Sequence, residues 1–209
     1  MYGPFKAADL VLWHGLDELG RLISDFETPP NLPTGQIVQP VFGHAAICVD
    51  PVQLVSADIQ GVRKHLISEY LTDRTAALLV LRIKTITDVQ RGQIAAQAMA
   101  FLGRPYGFGK IALQFGDNLL SRIAGAFTRR RQDVVFFRNL LRNEADPICS
   151  QVLAVSCWKG AGWTFCGINP DACQPSDPFA DLVQRPGCYQ VVYCHPSLTP
   201  YIPVGALHI

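Results

Sequence analysis

"VFGHAAICV", residues 41–49, is the stretch on which the fold turns. Side chains alternate between the faces of a strand, so His44, Ala46 and Cys48 share one side while Ala45, Ile47 and Val49 share the other. The second side is continuous aliphatic surface. The first carries a histidine with only small neighbours, which leaves room above it for another group. A core histidine satisfied by hydrogen bonds is the plain alternative.

Working outward, "ADLVLWHG" reads as a strand over 8–13 closed by Gly15, and "LDELGRLISDF" places Leu16, Leu19, Leu22, Ile23 and Phe26 at helical spacing. The loop expected at 27–40 holds four prolines within "ETPPNLPTGQIVQP" and borders the His44 strand. Downstream, "VQLVSA" follows the Asp50-Pro51 turn, Gly61-Val62 extends the sheet, and "LISEYL" makes a short helix. "AALLVLRI", 76–83, is an aliphatic, buried strand. Thr87 and Gln90 form a capping box for a helix running to about Leu102, before the Gly103-Arg104-Pro105 stop. A helix starts near Cys149 and ends at Gly160 or Gly162; "DPFADLV" makes a turn or two of helix and "CYQVVYC" a last strand. Strands and helices do not alternate regularly. The expectation is an α+β fold, an antiparallel sheet packed against helices, in a single domain over 1–209 with a helical Arg-rich insertion at about 109–145.

Composition narrows the function classes. Of 209 residues 49% are hydrophobic and 17% charged, which excludes a disordered chain, and no apolar run reaches the ~20 residues of a bilayer span. The first residues lack the pattern of a secretory signal, so a cytoplasmic location is expected. A net charge of +1 gives no field for nucleic acid, and no nucleic-acid partner is expected. The local exception is Arg129-Arg130-Arg131, flanked by Arg122, Arg138 and Arg142, where a solvated face and an anionic partner (phosphate, an anionic lipid head group or nucleic acid) are both open readings. Seven cysteines, an odd number, argue against a disulfide framework. None are spaced as in structural zinc sites, so no metal and no cofactor is expected.

One cysteine stands apart. In "DPICSQVLAV", residues 146–155, Asp146-Pro147 turns the chain into a helix and puts Cys149 in its first turn. A free thiol, with a pKa of about 8.5, is mostly protonated at neutral pH. Unsatisfied N–H groups and a nearby imidazole raise the thiolate fraction, and the same N–H groups can hold an oxyanion. Among the five histidines, His44 alone lies inside a well-marked strand.

Together, "ADLVLWHG", "FGHAAICV", "LVSADIQGV", "FLGRPYGF" and "ICSQVL" resemble, in order, the motifs of the circularly permuted NlpC-type papain-like superfamily. That group includes lecithin–retinol acyltransferase-like proteins and bacterial and viral hydrolases. The resemblance spans roughly 7–162, with "DPFADLV" as a weaker tail. It implies a permuted papain-like fold and a thiol hydrolase that cleaves amide, peptide-type bonds through an acyl-enzyme, with Cys149 as nucleophile and His44 as general base. Lipid-ester hydrolysis, acyl transfer, or a binding module with a weakened site are the alternatives. The partner implied is a peptide or acyl-containing substrate. The third catalytic position departs from the family, which often carries Glu or His where this chain has Ser56; Asp58, two residues on and on the same face, is the substitute. Tyr106 and Ser150 are candidate substrate-binding residues, Tyr106 alternatively a core tyrosine.

Overall fold

The computed structural model describes residues 5–15, 42–107 and 147–206. The helix expected over 16–26, the loop at 27–40 and the Arg-rich insertion at 109–145 lie outside them. The described chain is α+β, built on one six-stranded sheet in the order β4-β3-β2-β1-β5-β6 with every neighbouring pair antiparallel. The strands are β1 (Leu10–Gly15), β2 (His44–Cys48), β3 (Gln53–Asp58), β4 (Gly61–Leu66), β5 (Ala76–Ile83) and β6 (Tyr189–Cys194). The helices are α1 (Ile67–Thr72), α2 (Asp88–Met99), α3 (Cys149–Ala161) and α4 (Asp177–Gln184).

Local chemistry explains the boundaries. β5 occupies the span its aliphatic run dictates. α2 starts at the capping box, with the Gln90 N–H donating to Thr87 Oγ1 and the Thr87 N–H to Gln90 Oε1. α3 stops at Gly162, whose φ of 68° is the left-handed C-cap that glycine favours. β1 begins two residues later than its sequence suggests. Ala8 sits at φ 64°, bending the chain so that its N–H reaches the Cys48 carbonyl, while Asp9 accepts the Lys6 N–H. β4 is a full strand rather than a two-residue extension. It is held at its start by Gly61 and Val62, whose backbone meets Gly103 and Arg104; a Cβ at Gly61 would lie 2.7 Å from the Arg104 carbonyl oxygen.

The alternation read in "HAAIC" sorts the two faces of the sheet. Ala45 and Ile47 join Leu10, Leu12, Val55, Leu79 and Leu81 in the larger core, which also takes in Ile94 of α2 and Val152 and Leu153 of α3. Ala46 and Cys48 join Val11, Leu54, Leu78 and Val80 in a smaller core, partly covered by Tyr70 and Leu71 of α1. Helices α2 and α3 cross where Gly160 meets the backbone of Ile94. One buried ion pair ties the sheet to the segment ahead of it: Arg82 of β5 holds both carboxylate oxygens of Asp9, each at 2.7 Å. That bond accounts physically for the Asp in the Ala-Asp-Leu stretch.

Candidate active site

The start of α3 is fastened from two sides. The Gly107 N–H donates to the Pro147 carbonyl, bringing the Gly-Arg-Pro-Tyr segment beside it. On the other side, Ser150 Oγ donates to the Cys173 carbonyl at 2.6 Å, and the Gln151 amide donates to the Asp171 carbonyl. Gln151 also turns back to accept the Ile148 N–H at 3.2 Å, a cap made by a side chain from within the helix. Cys149 is therefore the first helical residue, as its sequence context suggests, and it is 4% exposed. The N–H groups of Gln151 and Val152 are used by the Ile148 carbonyl, which leaves the Ser150 N–H as a first-turn donor.

His44 is the first residue of β2. Its position is set from both directions: the Gly43 N–H donates to the Trp13 carbonyl, and Phe42 is held through both its N–H and its carbonyl by Ser176 Oγ. Its side chain stands on the smaller-core face, where its ring stacks on Tyr70 at 6.2 Å between centroids. Tyr70 Oη lies 3.4 Å from His44 Nε2 and 3.3 Å from Ser56 Oγ. Burial lowers the His44 pKa to about 4; the neighbouring His65 adds to that and the Asp58 carboxylate opposes it. The imidazole is thus neutral near pH 7. Tyr70 engages Nε2, and the direction of that bond decides which ring nitrogen carries the proton.

Tyr70 connects this group to the cysteine. Burial pushes the phenol up to about 12; the Ser56 hydrogen bond opposes this, while the charges of Asp58 and Cys149 add to it. Cys149 packs in the larger core, His44 bonds Tyr70, and the charge of Cys149 acts on the Tyr70 phenol.

Of the residues proposed for the third position, Ser56 is fully buried and bonds Tyr70. β3 does continue to Asp58, but the Asp58 carboxylate takes Arg63 Nε and the Gln60 N–H, each at 2.8 Å, and lies 3.4 Å from His65. Asp58 acts on His44 only through its field. Tyr106 is half-buried against the larger core beside the start of α3. The Ser150 hydroxyl is used by the fold. Tyr70 is the residue that sequence reasoning missed.

Burial also acts on five of the other thiols. Burial raises the pKa of Cys48, Cys157, Cys166, Cys173 and Cys194, with nearby carboxylates adding to the effect at Cys48, Cys166 and Cys173. Among the described residues no group of three His, Cys, Asp or Glu side chains is placed to hold a metal ion. Nor, among them, is any helix long and apolar enough to cross a membrane.

No protein-family model matches this chain, and no curated protein matches it. Among solved structures, the metalloprotein yiiX from Escherichia coli O157:H7 is a distant neighbour. It is 12% identical with a TM-score of 0.49, and the match covers 96% of this chain and 94% of that one. A likeness this remote assigns no function.

Proposed function

We propose that the protein is a thiol hydrolase of the permuted papain-like kind, acting on amide, peptide-type bonds. The observation that carries this reading is the Tyr70 hydroxyl, bonded to His44 Nε2 and within the field of Cys149. In the reaction, the Cys149 thiol gives its proton to the unprotonated ring nitrogen of His44 as sulfur adds to the substrate carbonyl. The Ser150 N–H is placed to donate to the oxyanion. The C–N bond then breaks, the amine leaves with the proton from His44, and a thioester remains on Cys149. Water adds to the thioester with His44 again as base, releasing a carboxylic acid and restoring the thiol. The neutral imidazole can accept a proton, a pKa lowered to about 4 makes it a weaker base than one poised near pH 7, and ligand-free catalytic geometry is commonly looser than the working one.

Burial of Cys149 to 4% exposure favours a second reading, a binding module that keeps the fold without turnover. A small thiol reagent separates the two. Preferential, His44-dependent modification of Cys149 supports the hydrolase. Modification no faster than at the other buried cysteines supports the module.

A further inference from the structure

A cleft of about 450 Å³ opens on the smaller-core face of the sheet, between the end of α1 and the end of β6. Its floor is Ala76 and Leu78 of β5; Tyr70 and Arg74 form one wall, Tyr193 and His195 the other. The volume falls among small-molecule sites, roughly 300–1,000 Å³. The cleft is not the space above His44. Trp13 of β1 pairs with His44 on one side and Leu78 on the other, so two strand spacings, roughly 10 Å, separate His44 from the cleft floor.

The polar groups around the cleft divide by sign. The Asp73 carboxylate is engaged within the chain: Oδ1 accepts the Thr75 N–H at 2.8 Å and the Thr75 hydroxyl at 2.6 Å, and the Trp13 side chain also bonds this carboxylate. Two donors remain. Arg74 is exposed and makes no ion pair among the described residues. His195 Nδ1 accepts the Ser197 N–H, which fixes the neutral ring as the tautomer with its proton on Nε2. Between these donors stand two aromatic rings and an aliphatic floor. That is the pattern of a site for an apolar molecule with one anionic end.

We infer that this cleft binds a small monocarboxylate with an aryl or alkyl body, the carboxylate meeting Arg74 and the body lying on Leu78 between Tyr70 and Tyr193. The inference goes beyond the hydrolase reading, and the cleft shares Tyr70 with the His44 site.

The test is a titration of the ¹⁵N-labelled full chain with 4-phenylbutanoate and, separately, with its uncharged amide, followed by NMR. The expected result is saturable shifts at residues 70–78 and 193–196, with the acid binding at least tenfold more tightly than the amide. Arg74→Ala, at an exposed position, removes that preference and leaves the amide's affinity unchanged. Cys149→Ala binds the acid as the wild type does, whether or not the chain hydrolyses anything. Equal affinity for acid and amide, no saturable shift at these residues, or an unchanged preference in Arg74→Ala would each overturn the inference. Loss of acid binding in Cys149→Ala would overturn the cleft's independence from the thiol.

Discussion

The hydroxyl of Tyr70 lies 3.4 Å from Nε2 of His44, and the same hydroxyl lies 3.3 Å from Ser56. Two residues from different strands thereby share a phenol delivered by a single turn of helix. The direction of the Tyr70 bond sets which imidazole nitrogen carries the proton.

Tyr70→Phe removes the bond while keeping the ring that stacks on His44. The modification rate of Cys149 is expected to fall by roughly tenfold, the size of one neutral hydrogen bond. The His44 ring is expected to lose its single tautomer in ¹⁵N spectra. Asp58→Asn leaves the tautomer in place but lowers the His44 pKa further, because the Asp58 charge raises it. If Asp58→Asn scrambled the tautomer and Tyr70→Phe did not, Asp58 would be the orienting residue.

Stability carries the mark of the same imidazole. The folded pKa of His44 is lowered from 6.5 to about 4, so between those values the unfolded chain binds a proton that the folded chain does not. Stability is therefore lost as pH falls from about 6.5 to about 4, by at most roughly 3 kcal/mol from this group. His44→Gln should flatten that part of the curve of unfolding free energy against pH. An equally steep acid limb in the variant would show that other groups set it.

Asp9 is fully buried and its charge is met by Arg82 at 2.7 Å through both carboxylate oxygens. Either Asp9→Asn or Arg82→Met alone leaves an unmatched group behind, at a cost of about 3–5 kcal/mol in denaturant unfolding. The double variant is expected to lose less than the sum of the two. Additive losses would mean that the pair is not a coupled unit.

Gly160 marks a close approach of α2 and α3. A Cβ there would lie 2.5 Å from the backbone nitrogen of Ile94, so Gly160→Ala must push the helices apart, at about 1–3 kcal/mol. Because backbone as well as side chain is in the way, Ile94→Ala is expected not to rescue it. Rescue would show that the contact is with the Ile94 side chain alone.

Much of this architecture is legible in local sequence because local forces decide it. The aliphatic run of β5, the Thr87–Gln90 box and the left-handed Gly162 each act within a few residues. The alternation in "HAAIC" gives the two faces of β2 correctly for the same reason. Tyr70 was not legible. Its partners lie 26 and 14 residues away, and its placement depends on β4 running its full length to Leu66 before α1 folds back over β3. Asp58 shows the converse. The face is right, but the turn at Gln60 and the pairing of β3 with β4 deliver Arg63 to its carboxylate. Cys149 is placed at its helix start by the sequence, yet its burial follows from the 105–107 and 171–173 segments packed around it.

The most direct measurement is the rate of iodoacetamide modification at each cysteine between pH 5 and 9, read by mass spectrometry, in wild type and His44→Ala. At pH 7, Cys149 is expected to react at least tenfold faster than Cys48, Cys157, Cys166, Cys173 and Cys194, whose thiols are all raised by burial, and to lose that advantage in His44→Ala. Cys149 reacting no faster than these five, or equally fast with and without His44, would contradict the thiol–imidazole pair on which the proposed chemistry rests.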